Sequence, residues 1–321
     1  MSGVAHRHRV EAPEAKLRLD RFLALRHPEV SRSRLAALVK AGAVRVDGAV
    51  CRKPSEPLCE GMDVQVVIPE LVEERLEPEA IALEVIHEDD DLLVLNKPAG
   101  LVVHPGAGVR QGTLAAALLY RDPGLAGIGG AGRCGLVHRL DRGTSGLMVV
   151  ARNDQAHRRL SAAFRRREVE KVYDAVVWGR PREAEGEIER PIGRDPRNRV
   201  KMAVDVPRGR HALSRYRVRE EVPGFALVAV RILTGRTHQV RVHLAAIGHP
   251  LVGDATYGGE RSRSVVDPLR RKAVRTLGRP ALHARRLAFT HPTTGRRLAF
   301  VCAWPEDLEA LWTALGGRPN R

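Results

Sequence analysis

The sequence predicts an α+β fold built on a large mixed, mainly antiparallel sheet, preceded by a small helix–helix–strand module. Segments of strand type outnumber helical ones, and they do not alternate with helices in the βαβ rhythm of a parallel sheet. Two runs, Leu92-Leu93-Val94-Leu95 and Leu147-Met148-Val149-Val150-Ala151, are continuously apolar over a strand's length, as a buried strand requires. An acidic, proline-bearing stretch at 70–80 separates these runs from the N-terminal helices.

Residues 1–15 are basic and unpatterned, and read as a tail. In the module at 16–69, Asp20 is placed to cap a helix carrying Phe22, Leu23 and Arg26. Ser31 is placed to cap a second helix, with Leu35, Leu38 and Val39 on one face and Gly42 closing it. Arg32, Arg34 and Lys40 fall largely off that apolar stripe and are expected to be exposed together. Val44-Arg45-Val46 before Asp47-Gly48 reads as a strand and a tight turn, and 62–68 as a closing strand. The stretch 70–80 has five Glu in eleven residues and reads as a linker that phosphates would repel.

The second domain is expected over 81–315, with a short tail at 316–321. After the strand at 92–95 comes a glycine-bearing loop, then a helix at 113–120 and a glycine-rich stretch at 121–135 expected to be flexible. Asn153 is placed to cap a helix with Ala156, Leu160, Ala163 and Phe164 inward and four arginines mostly outward. Strands are expected at 169–178, 211–219 and 225–233, with only short strands between 180 and 210. Thr237 should cap a helix ended by Gly248 and Pro250. A basic arm at 259–280, strands at 282–289 and 296–301, and a helix at 305–315 complete the chain.

With 321 residues, 43% of them hydrophobic, the chain can bury a sizeable core and suggests two domains. A formal net charge of +16 favours a polyanionic partner, nucleic acid first. No apolar run approaches a membrane span, and the N-terminus lacks a signal-peptide core, so a cytoplasmic protein is expected. The four cysteines form no C-x-x-C pair, and no H-E-x-x-H or phosphate-cradling glycine loop occurs. Neither a metal nor any other cofactor is therefore expected.

One stretch, His138-Arg139-Leu140-Asp141-Arg142-Gly143-Thr144-Ser145-Gly146, sets a carboxylate between two arginines on a tight turn at the mouth of a buried strand. A rigid scaffold presents reactive groups from such loops. The flanking arginines favour the ionised acid, which is a nucleophile or a general base. The plainer reading is an Asp that only organises its own turn through an Asx bond.

The His138–Leu147 stretch resembles the signature of the RluA/RluD family of pseudouridine synthases. Three further stretches resemble family motifs in the same order: LLVLNKPAGLVVHPG at 92–106, KVYDAVVWG at 171–179, and LTGRTHQVRVHLAAIGHPLVGDATYGG at 233–259. The likeness runs from about 17 to 312 and is strongest to RluD-type members, which carry an N-terminal α-L RNA-binding module. The stretch SRSRLAALVKAGAVRVDG at 31–48 resembles that module.

The resemblance implies a pseudouridine-synthase fold and an enzyme acting on a stem-loop of large-subunit ribosomal RNA, free or in a pre-ribosomal particle, as a monomer. It makes Asp141 the catalytic carboxylate, with Arg236 paired to it and Tyr173 stacked on the flipped base. Arg139 is expected to enter the gap left by the base, and His138, Arg32, Arg34 and Lys40 to bind RNA, with Leu251 lining the base pocket. The rival expectation is a non-catalytic RNA-binding or ribosome-assembly protein, which needs only the basic surface and the small module.

Overall fold

In the computed structural model, residues 3–69, 76–106, 109–130, 132–198 and 200–318 are described, and the chain divides into two units, Met1–Glu74 and Arg75–Arg321. Most of the expected linker at 70–80 lies outside the described residues.

The first unit contains β1 (Gly3–Arg9), α1 (Leu19–Arg26), α2 (Arg32–Ala41), β2 (Val44–Val46), β3 (Ala49–Val50) and β4 (Asp63–Pro69). Its sheet runs β1-β4-β2-β3, and Leu19, Phe22, Leu23, Leu35, Val39, Val44, Val64 and Val66 fill the space between sheet and helices. Ser31 caps α2 through the Arg34 N–H, and Gly42 ends it with a left-handed φ of 82°.

Two expectations fail here. The segment read as a tail contains β1, which pairs antiparallel with β4 from Gly3↔Pro69 to Arg9↔Asp63. Its inward alternation is carried by His6 and His8 rather than by aliphatic residues, so no apolar period announced it. His8 Nε2 lies 2.8 Å from Nε2 of buried His27. Asp20 is not a cap: Arg18 holds that position, and Asp20 is buried between the guanidiniums of Arg18 and Arg32. Burial alone would raise the Asp20 pKa, but its bonds to the two arginines outweigh that and lower it.

The basic face expected on α2 is correspondingly smaller. Arg32 is exposed but engaged with Asp20. Arg34 is half-buried and donates to the Pro69 carbonyl at 2.9 Å, tying α2 to the end of β4. Lys40 stands exposed as expected.

The second unit runs β5 (Glu84–Glu88), β6 (Leu92–Lys97), α3 (Leu114–Arg121), β7 (Ser145–Ala151), α4 (Asp154–Arg166), β8 (Glu170–Trp178), β9 (Glu185–Glu189), β10 (Ile192–Arg194) and β11 (Met202–Val204). Then come β12 (Leu213–Val222), β13 (Phe225–Ile232), α5 (Gln239–Ala246), α6 (Pro268–Leu277), β14 (Leu282–Thr290), β15 (Arg297–Val301) and α7 (Glu306–Ala314). Nine strands form one mixed sheet in the order β5-β6-β7-β14-β8-β13-β12-β9, with β15 on β14, while β10 and β11 make a separate hairpin. Among the described residues its pairings are antiparallel except β7 with β14. The expected α+β class with a large, mainly antiparallel sheet is thus what forms.

β7 is buried along its whole length, so the turn before it is fixed by the centre of the sheet. The parallel pair sits at that end of β7, with Ser145 beside His283 and Gly146 beside Ala284. Gly146 has φ 115°, and a Cβ there would lie 2.4 Å from the Ala284 carbonyl oxygen and 2.6 Å from its nitrogen. Gly146→Ala should therefore push β7 from β14. A loss of more than about 2 kcal/mol is expected, read as a melting temperature lower by about 4 °C or more. An unchanged melting temperature would show that the two backbones separate without cost.

Candidate active site

The turn 141–144 closes through its backbone: the Thr144 N–H donates to the Asp141 carbonyl at 3.0 Å. Its outer side is braced by the loop after β6. The Gly100 N–H donates to the Arg142 carbonyl at 2.8 Å, and Arg142 Nε returns a bond to the Gly100 carbonyl at 3.2 Å. Lys97, fully buried, spreads its ammonium over the carbonyls of Pro98 (2.7 Å), Leu101 (2.9 Å) and Arg142 (3.5 Å). Burial pulls its pKa down to about 8, with the charge of Asp141 opposing. Arg279, held by Asp307, donates to the Gly143 carbonyl from the opposite side at 3.2 Å.

With the turn closed by the main chain, the Asp141 carboxylate faces other side chains. Oδ2 lies 3.5 Å from Nη1 of Arg241 and 3.9 Å from Nε2 of His238. Arg241 is buried and forked onto buried Asp254, with Nε–Oδ2 at 2.6 Å and Nη2–Oδ1 at 2.8 Å. Its guanidinium lies 5.1 Å from the centre of the Tyr257 ring.

This corrects the expected pairing of Arg236 with Asp141. Arg236 stands in the loop before α5 and donates Nε to the His211 carbonyl at 2.9 Å. Gln239 fixes that loop by accepting the Arg236 N–H and the Thr234 hydroxyl, while its amide nitrogen reaches Leu213 and Ser214. The helix begins one residue later than expected: His238, not Thr237, is the N-cap, in left-handed conformation. Arg241, inside the first turn, is then the arginine that points at Asp141.

A cavity of about 520 Å³ opens above Asp141. Tyr173, Arg139, Arg236, His238 and Arg241 line it together with Asp141, so the expected carboxylate, tyrosine and two arginines do converge. Val137, Leu140, Phe164, Ile232, Val240 and Leu282 supply apolar wall, and Lys171, Arg165, Arg167 and Arg210 add positive charge. Burial lowers the Lys171 pKa to about 8. Tyr173 is buried; burial, reinforced by the charge of Asp141, raises its pKa, so the hydroxyl keeps its proton at neutral pH. Arg139 is exposed at the mouth.

Two further expectations are corrected. His138 lines the cavity but spends its Nε2 accepting the Val149 N–H at 3.0 Å, and its ring stacks on Phe164 at 4.6 Å. Burial depresses its pKa to about 3, so it is a neutral brace between turn and strand rather than a cation for RNA. Leu251 is wholly buried in the core, bridged to Val177, and does not line the cavity. A leucine beside glycines in a motif shows its apolarity but not its depth.

Away from the cleft, Asp89, Asp91 and His291 bring ligand-type atoms within 4.8 Å of one another. His291 Nδ1 accepts the N–H groups of Thr293 and Thr294, so in the neutral ring Nε2 carries the proton and donates to Asp89 at 3.2 Å. That nitrogen has no lone pair for a metal, and the cluster acts as a hydrogen-bonded brace.

Similarity to known proteins agrees with this geometry. Residues 91–246 match the family model described as RNA pseudouridylate synthase, and 17–64 match the S4 domain. The chain is 45% identical over 296 residues to the ribosomal large subunit pseudouridine synthase D of Pseudomonas aeruginosa, covering 92% of this chain and 90% of that protein. It is 44% identical over 301 residues to an uncharacterized RNA pseudouridine synthase of Aquifex aeolicus, covering 93% of each. Among solved structures it is similar to human RNA Pseudouridylate Synthase Domain Containing 4, with a TM-score of 0.57 at 27% identity, covering 74% of this chain and 95% of that one.

Proposed function

The chain belongs to the RNA pseudouridine synthases, and from that footing we propose that it isomerises uridines of large-subunit ribosomal RNA with Asp141 as the catalytic carboxylate. The observation that carries the proposal is a carboxylate left out of its own turn and set in a basic cleft beside Arg241 and Tyr173. A protein that only grips phosphates has no use for a negative charge at that point.

The reaction breaks the bond between ribose C1′ and base N1, turns the base, and joins C5 to C1′. C5 loses its proton and N1 gains one, so the product is an isomer and no redox partner or hydrolytic water enters. The target base must leave its stack to reach such a site. Tyr173 is assigned to stacking on it, a contact worth about 1–3 kcal/mol. Arg139, at the mouth, is assigned to the gap the base leaves, and Arg241 to orienting Asp141. The apolar wall keeps water from the cleaved intermediate.

The ribosomal target is supported by the names of the relatives, which specify the large subunit. The S4 domain, with Lys40 exposed on α2, is assigned to a flanking RNA segment, and 70–80 to the link between the two domains. The enzyme is proposed to act as a monomer in the cytoplasm, where its RNA is; no helix among the described residues is long and apolar enough to cross a membrane. Tritium release from RNA carrying uridine labelled at C5 tests the proposal. Release is expected from large-subunit transcripts or precursor particles. Release from small-subunit or transfer RNA alone would overturn the target.

A further inference from the structure

His238 stands beside Asp141 on a backbone that side chains rarely adopt: φ is 57° and ψ 20°, and the ring makes no capping bond to α5. Such conformations persist where the surroundings over-determine them, and they gather at functional sites. Here the surroundings fix the ring itself. Nδ1 lies 2.9 Å from the Tyr257 hydroxyl oxygen, and that oxygen accepts the Met202 N–H at 2.9 Å. A phenol has one proton to give. Among the described residues Nδ1 is the acceptor placed to take it. A neutral imidazole whose Nδ1 accepts carries its proton on Nε2, the nitrogen that faces Asp141.

Tyr257 is itself held firmly. Asp254 Oδ1 receives the N–H groups of Thr256 and Tyr257 at 3.0 and 3.2 Å, and also Nη2 of Arg241 at 2.8 Å. One buried carboxylate thus sets both the arginine on Asp141 and the tyrosine that orients His238. Burial holds the His238 pKa below its ordinary value, with Asp141 and Asp254 pulling it up and Arg241 and Arg139 pushing it down, so the ring is neutral at neutral pH. At 3.9 Å, Nε2 is too far from Asp141 Oδ2 for a direct hydrogen bond. A hydroxyl oxygen lying between them, about 2.8–3.0 Å from each, fits that span: it accepts the Nε2–H and donates its own proton to the carboxylate.

We propose that His238 is a further catalytic residue, a neutral Nε2–H donor that receives the ribose 2′-hydroxyl oxygen of the target uridine beside Asp141, with Tyr257 as its positioning residue. The inference rests on Asp141 being the catalytic carboxylate. It adds a donor that bears on the reacting nucleotide and is bound in one tautomer before the RNA arrives, so no reorganisation accompanies the reaction.

The test uses the full chain, a uridine-containing large-subunit transcript, single-turnover rates and RNA affinity. His238→Asn keeps a residue that tolerates the left-handed backbone and an oxygen for Tyr257, but removes the donor. It should slow turnover by about 100-fold, as loss of one preorganised donor does, with RNA affinity unchanged. His238→Gln carries an amide nitrogen out to the Nε2 position and should recover about tenfold of that loss. Tyr257→Phe should slow the parent by about tenfold yet add almost nothing to His238→Asn, because it acts through the imidazole. The inference is overturned if His238→Asn turns over within about threefold of the parent, if Gln is no better than Asn, or if Tyr257→Phe costs the same on both backgrounds. Melting temperatures of all three variants separate these outcomes from misfolding. Asp141→Asn, run alongside, separates failure of this inference from failure of the site: should that variant turn over normally, the assignment of Asp141 falls first.

Discussion

Replacing Asp141 by Asn is expected to lower turnover by several orders of magnitude while leaving the fold and RNA affinity intact. The turn does not need the carboxylate, because the Thr144 N–H closes it on the Asp141 carbonyl. The braces from Lys97, Gly100 and Arg279 reach the main chain of 142 and 143, not the side chain of 141. Arg241 keeps both bonds to Asp254. Asn matches Asp in size but is neither a nucleophile nor a base, so the chemistry alone is removed. Affinity should hold or rise, since a negative charge facing RNA phosphates is lost. Single-turnover rate, dissociation constant and melting temperature, taken together, check this. A variant melting with the parent and turning over within about tenfold of it would remove Asp141 from the mechanism.

Arg241→Met is expected to damage both stability and rate. The guanidinium is the charged partner of Asp254, and both groups are buried. Removing one member of such a pair strands the other, at a typical cost of about 3–5 kcal/mol. That corresponds to a fall in melting temperature of roughly 10 °C for a unit of this size. Asp141 loses its 3.5 Å neighbour at the same time, so turnover should fall further than the unfolded fraction explains. Arg241→Lys retains charge but cannot reproduce the fork onto Asp254, and should lie between the two. Arg236→Met makes the contrast. Arg236 is half-buried and bonded to a single carbonyl, so its loss should leave melting nearly unchanged and act on RNA binding. Equal effects at 236 and 241 would show that the cleft does not distinguish its two arginines.

The split between what the sequence allowed and what it hid follows interaction range. Ser31 capping α2 and Asn153 capping α4 are local events, settled within three residues, and both hold. The buried run at 147–151 and the loop before it were legible because apolar continuity and turn chemistry are written along the chain. Arg241 was not, because its meaning comes from Asp254, 13 residues on, and Asp141, 100 residues back. Resemblance pointed to the GRTHQVR segment but could not say which arginine faced inward once the helix began at Gln239. The same limit applies to Asp20, which local rules make a cap and Arg32 makes a buried ion. It applies again to β1, whose inward histidines meet His27 on a different element. His138 shows the converse: its motif neighbours suggested RNA, while Phe164 and Val149 consume its ring.

This chain is proposed to make pseudouridine in large-subunit ribosomal RNA through Asp141. The most direct test maps pseudouridines, by carbodiimide modification and primer extension, in ribosomal RNA from cells lacking the chain and resupplied with either the parent or Asp141→Asn. Specific large-subunit sites are expected to vanish without the chain, return with the parent and stay absent with the variant. An unchanged map in its absence, or full restoration by Asp141→Asn, would contradict it.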